Sequence, residues 1–126
     1  MARKIPLSDF ETAIVKELSE YSDEVAEDIK RDVKRVAKET VQALRTASPR
    51  DTGEYAKGWS DKVEYENAND IRVRVYNKKK PQLTHLLENG HAKKNGGRVD
   101  GKPHIGPVEQ EAEKKLQNGI KVVVKG

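Results

Sequence analysis

Residues 8–49 read SDFETAIVKELSEYSDEVAEDIKRDVKRVAKETVQALRTASP. Within this stretch Phe10, Ile14, Leu18, Tyr21, Val25, Ile29, Val33, Val36 and Thr40 recur at steps of three or four, the period that gathers side chains on one face of an α-helix. Ser8 and Glu11 have the spacing of a capping box, in which a hydroxyl and a carboxylate serve the first free amides. A helix is therefore predicted to begin there. It ends at Ser48-Pro49, because a proline disfavours the helical conformation of the residue before it. One helix over residues 9–47 would be ~58 Å long at the usual rise, which is long for 126 residues. Ser19 to Asp23 (SEYSD) offers cap-forming side chains for a second start, so the pattern allows a break near residues 19–23. Glu24 and Asp28, set against Lys30, Arg31, Lys34 and Arg35, dress the outer face and support the helix.

Beyond Pro49 the periodicity changes. SPRDTGEYAKG, residues 48–58, is turn chemistry. Trp59, Val63 and Tyr65 then alternate with polar residues, as do Ile71, Val73 and Val75 with Arg72, Arg74 and Tyr76, with Asn67 to Asp70 as the turn between. The result is a hairpin with one apolar face, suited to an antiparallel sheet covered on one side by the long helix. Leu83, Leu86 and Leu87 predict a short helix that Asn89-Gly90 terminates. His91 to Lys102 has no periodicity and reads as a long basic loop. Pro107, at a first helical position, opens a last helix with the stripe Val108, Ala112 and Leu116, and Asn118-Gly119 is expected to stop it. Residues 120–124 (IKVVV) fit a strand locally and also continue the helical spacing. The fold class predicted is α+β: a long N-terminal helix packed on a small antiparallel sheet, with a short helix, a long basic loop and a C-terminal helix, all in one domain spanning residues 1–126.

Composition narrows the function. Charged residues make up 37% and hydrophobic residues 34%, with one Trp, one Phe and one Met, so the core is thin and apolar surface is expected to meet neighbours. The absence of cysteine excludes disulfides, zinc thiolates and cysteine nucleophiles. No apolar run approaches a membrane span, and MARKIPLSDF lacks the apolar core of a signal peptide, so a soluble, non-exported protein is expected. The net charge of +4 is unevenly spread: residues 71–104 carry nine Lys or Arg against Glu88 and Asp100, while the remainder is net acidic. Such a block attracts polyanions, or is simply a solvated surface.

The residues that suggest chemistry do so incompletely. His85, Glu88 and His91 stand three apart, with His104 further on, but a zinc peptidase spaces its histidines by four, and Gly90 ends the helix before His91. Histidines that cap helix ends and bond the backbone explain the pattern as well. Gly96 to Pro103 (GGRVDGKP) nearly spells a phosphate loop, yet Pro103 stands where a hydroxyl would hold magnesium. There is no GxSxG elbow for a serine nucleophile. Asp51-Thr-Gly53 matches an aspartic-protease triplet but lies between polar flanks, as a turn would.

Taken in order, Ser48-Pro49 with Thr52-Gly53-Glu54-Tyr55 and Trp59, the strand end Val75-Tyr76-Asn77, LTHLLENGH over residues 83–91, Gly96-Gly97-Arg98-Val99 and Pro103-His104-Ile105 resemble the neck or tail-completion proteins of tailed bacteriophages, often labelled minor tail components. The resemblance spans nearly the whole chain and departs at the tail, NGIKVVVKG, where a charged amphipathic helix is expected. It implies a non-enzymatic ring subunit of six or twelve copies, without cofactor or metal, that joins the head connector to the tail terminator or tail tube around a channel for double-stranded DNA. It also implies location in the virion, with assembly in the host cytoplasm. Residues expected to face a neighbour or DNA are Lys78, Lys79, Lys80, His91, Lys93, Lys94, Arg98 and Lys102. Two other readings are a small basic DNA-binding module using those lysines and a metal-dependent nuclease built on His85, Glu88, His91 and His104.

Overall fold

A computed structural model of the chain describes residues 9–15, 18–49 and 53–125. A first strand, β1 (Asp9–Val15), and a single 3-10 turn (Leu18–Glu20) precede a long helix, α1 (Asp23–Ala47). A one-turn helix α2 (Glu54–Lys57) leads into β2 (Trp59–Glu66) and β3 (Ile71–Asn77). Then come α3 (Leu83–Asn89), a small hairpin of β4 (Gly90–Ala92) and β5 (Arg98–Asp100), and α4 (Ile105–Lys125). The class is α+β, as the pattern predicts.

The expected helix start is corrected. Residues 9–15 form a strand antiparallel to β3, with Phe10 opposite Val75 and Val15 opposite Ile71. A step of four is compatible with both periods, since residues four apart share one face of a regular strand as well as of a helix; here an irregularity between Glu11 and Ala13 shifts the register, so that Ile14 pairs with Arg72. The β-branched run Thr12, Ile14, Val15 and the open edge of β3 decide for the strand. Ser8, the expected cap, lies outside the described residues. The helix begins instead at the second start: the Ser22 side chain accepts from the Val25 amide at 3.2 Å, and Asp23 and Glu24 complement the dipole in the first turn. Ser48 closes it, its amide and its hydroxyl both donating to the Leu44 carbonyl, at 3.0 and 2.5 Å.

The sheet has the order β1-β3-β2, with β3 central. Ile71, Val73 and Val75 alternate inward and meet Ile29, Val33, Val36, Ala37, Val41 and Leu44 of α1 in one core, which Trp59, Ile105, Ala112 and Leu116 complete. Two expected core residues are not in it: Val63 is 42% exposed and Tyr65 39%. A bulge between them shifts the register so that Tyr65 stands opposite Arg72, on the solvent face, and Val63 lies on the edge strand β2. Lys30, read as an outer-face residue, is buried, its Nζ 3.3 Å from Glu27 and 3.8 Å from Glu66.

Helix α4 packs against α1, and its Asn118-Gly119 does not stop it. A Cβ on Gly119 would fall 2.1 Å from Asp32 Oδ2, so this glycine is the close-approach point of two helices rather than a terminator. Residues 120–124 are accordingly helical, which resolves the alternatives left by IKVVV. Pro107 occupies the third helical position rather than the first, still within the turn whose amides have no intrahelical acceptor. No helix among the described residues is long and apolar enough to cross a membrane.

Candidate functional site

Two of the residues singled out for chemistry, Glu88 and His104, meet in a buried hydrogen-bonded lock. α3 turns Thr84 and Glu88 inward beside Leu83 and Leu87, which pack against the core, while Leu86, the third leucine of the expected stripe, is 40% exposed. Glu88 Oε1 accepts from the main-chain amides of His104 (2.7 Å) and Ile105 (2.8 Å), and Oε2 from that of Gly106 (3.0 Å). These donors open α4, so a carboxylate from one helix caps the N-terminus of another. Burial pushes the Glu88 carboxyl pKa up, but the three amides and the adjacent His104 outweigh it and hold the pKa below the usual value.

His104 is set from both sides. Its Nδ1 lies 2.7 Å from the Lys102 carbonyl and 3.0 Å from Glu88 Oε1, both acceptors, so this nitrogen carries the proton. Nε2 then accepts from the Tyr55 hydroxyl at 2.7 Å. Burial, and secondarily the charge of Glu88, pushes the Tyr55 phenol far above its ordinary pKa, so it remains a donor. The Tyr55 ring packs edge-on against His104 and Trp59, with centroids 5.5 and 5.7 Å away. Trp59 donates its indole N–H to Ser48 Oγ at 2.8 Å, and the Tyr55 carbonyl accepts from Asn77 Nδ2 at 2.8 Å. Ser48, Tyr55, Trp59, Asn77, Glu88 and His104, scattered over the sequence, thus form one continuous polar and aromatic seam joining α1, β3, α3 and α4.

The remaining histidines stay apart from this seam. His85 is exposed beside Asn89, and His91 is exposed on β4. Glu88 and His104 are therefore brought together, but no grouping of three His, Asp or Glu that could hold a metal occurs among the described residues. An open, largely apolar groove of about 180 Å³ between α1 and α4, lined by Ala43, Pro107, Val108 and Ala112, contains no histidine.

The expected assembly residues divide into two sets. Asn77 Oδ1 accepts from the amides of Lys79 (3.2 Å) and Lys80 (2.9 Å), which shapes the Lys78 to Lys80 turn before α3; Lys79 also reaches Glu54 at 3.5 Å. His91, Lys93, Lys94 and Arg98 lie on the β4–β5 hairpin and Lys102 follows it, so the segment read as an aperiodic loop is an ordered hairpin. Every residue from His91 to Asp100 is exposed. The root of the hairpin, by contrast, is tightly held. A Cβ on Gly90 would meet the Val99 carbonyl at 2.3 Å and one on Gly101 the Glu88 carbonyl at 2.5 Å. Arg98 donates to the Asn89 carbonyl at 2.7 Å and the Lys102 amide to that of Leu87 at 2.8 Å.

Residues 12–90 match the model of the family described as "Bacteriophage HK97-gp10, putative tail-component". The chain belongs to this family. The HK97-gp10-like match runs from β1 through α3 and takes in Tyr55, Trp59, Asn77 and Glu88, and it stops at the first residue of the hairpin. The resemblance to tail-completion proteins extends further, through the hairpin to the start of α4. No curated protein and no solved structure matches the chain. What the sequence reading missed at the site is the partnership itself: the clue was a Glu at a core-facing position of α3, four residues after the buried Thr84, with no Lys or Arg at helical spacing to pair with it.

Proposed function

We propose that this HK97-gp10-like chain is a structural subunit of an oligomeric ring, of six or twelve copies, at the head–tail junction of a phage or prophage particle. In this reading it bridges the head connector to the tail terminator or tail tube around the DNA channel, resides in the virion, assembles in the host cytoplasm and carries out no catalysis. The observation that supports it most is the hairpin: ten consecutive exposed residues with a surplus of positive charge stand on a root fixed by two close-approach glycines and the Glu88 cap. Two three-residue strands without a core are marginal alone, so a rigid root under an uncovered arm suits a part that meets a neighbour. The groups with most chemical potential, Glu88, His104 and Tyr55, are bonded to one another and to main chain.

Interrupting the gene in the phage or prophage tests the reading. Filled heads and separate tails should accumulate in lysates seen by electron microscopy; normal infectious particles would contradict it. A DNA-binding module is the second reading, favoured by the exposed Lys78, Lys80, Lys93, Lys94 and Lys102. It requires the purified chain to bind duplex DNA with an affinity that falls steeply with salt.

A further inference from the structure

We infer that the β4–β5 hairpin docks on the start of α1 in a second copy of this chain, a head-to-tail contact that deepens the ring reading and rests on it. The two surfaces lie at opposite ends of the molecule. The Leu18 amide donates to the Asn69 carbonyl at 2.8 Å, which places the 3-10 turn and the start of α1 at the β2–β3 turn. The hairpin root is tied through His104 to Tyr55, beside Trp59 and Asn77, at the other end of β3. Seven residues of strand separate the ends, roughly 20 Å. One chain therefore does not close this contact on itself.

Their charges are opposite and only partly paired among the described residues. From Ser19 to Asp28 the chain carries five carboxylates and no basic residue. Glu27 and Asp28 pair with Lys30 and Arg31, whereas Glu20, Asp23 and Glu24 are exposed and have no side-chain partner among the described residues. The side chains of Lys93, Lys94 and Lys102 are likewise exposed and have no partner among the described residues. Each surface also presents one large apolar side chain, Tyr21 at 37% exposure and Val99 at 39%. On the hairpin, Val99 stands opposite His91, next to the carboxylate of Asp100. An apolar residue and a carboxylate amid the cations suit a protein surface better than a row of phosphates, which Asp100 would repel. Two different patches at opposite ends make a heterologous contact, the kind that closes into a ring when the rotation per subunit allows.

The test is charge reversal in the full chain. One variant carries Lys93→Glu and Lys94→Glu; a second carries Glu20→Lys and Glu24→Lys; thermal melting checks that both are folded. Sedimentation velocity at low salt should show wild type self-associating with concentration and dissociating as salt rises. Each variant alone should associate at least about tenfold more weakly, the equivalent of about 1.4 kcal/mol. An equimolar mixture should recover association, because each reversed hairpin then finds a reversed α1 start. Association of wild type that neither variant weakens would overturn the inference and leave the ring reading standing. A wild type that stays monomeric while binding a 30-base-pair duplex, with binding lost on Lys93→Glu/Lys94→Glu, would overturn the inference and make the hairpin a DNA contact. A monomer that does not bind duplex overturns the inference alone, and the gene interruption then judges the ring reading.

Discussion

Glu88 shows how one residue carries two accounts until its neighbours are known. In the sequence it stands between two histidines and looks like a ligand; in the fold its two oxygens are taken by three amides at the start of α4. Glu88→Leu should leave those buried donors unsatisfied and cost on the order of 3 kcal/mol, read as a lower urea midpoint at pH 7. The pH dependence has a definite sign. The folded pKa of Glu88 lies below its ordinary value of 4.5, so the stability that it contributes is fully present above that pH and is lost as pH falls through the folded value. The difference between wild type and Glu88→Leu should therefore shrink between pH 6 and pH 3, and a constant difference would show that the charge is not what caps α4. His104 was legible as a histidine with a backbone role, but not as the acceptor for Tyr55, because a contact across 49 residues leaves no local trace.

At the scale of elements, the parts with long, one-sided periodicity were readable and the ambiguous ones were those where two periods coincide. α1 from Ile29 to Thr40, the inward alternation of β3 and the Val108, Ala112, Leu116 face of α4 follow from spacing alone. β1 was misread because Phe10 and Ile14 satisfy both periods, and Val63 and Tyr65 because a bulge is invisible to a pattern of alternation. The two valines opposite each other in the sheet offer a contrast. Val73→Asp buries a carboxylate at a site 1% exposed and should unfold the domain or cost several kcal/mol. Val63→Asp, at 42% exposure, should shift the thermal midpoint by only a few degrees, and equal effects would refute the layer assignment. Gly119, read as a stop signal, matters instead for how close α4 comes to α1. Gly119→Ala must displace the Asp32 carboxylate and should destabilise by about 1–3 kcal/mol. Adding Asp32→Ala should recover part of that loss; strictly additive effects in a double-mutant cycle would place the two helices further apart.

The whole molecule is a thin core carrying a polarised surface. Its α1–sheet body and the Glu88–His104 lock explain how LTHLLENGH and KPHI belong together with Tyr55 and Trp59 in this chain: they are the two sides of one seam. The excess of exposed charge, which composition made plain, becomes a basic hairpin at one end and the acidic start of α1 at the other only once β3 separates them. Sequence gave no means to foresee that separation, because distance along a strand depends on which segments pair with it. Family membership makes the chain a phage tail component, and its position along the particle is the point that matters most. Cryo-electron microscopy of particles from the phage or induced prophage, with this fold fitted to the junction density, addresses that position directly. A ring of these domains between head connector and tail tube, with hairpins turned toward neighbouring subunits, is the expected result; the same domain found only along the tube or at the tail tip, or missing from the particle, would contradict it.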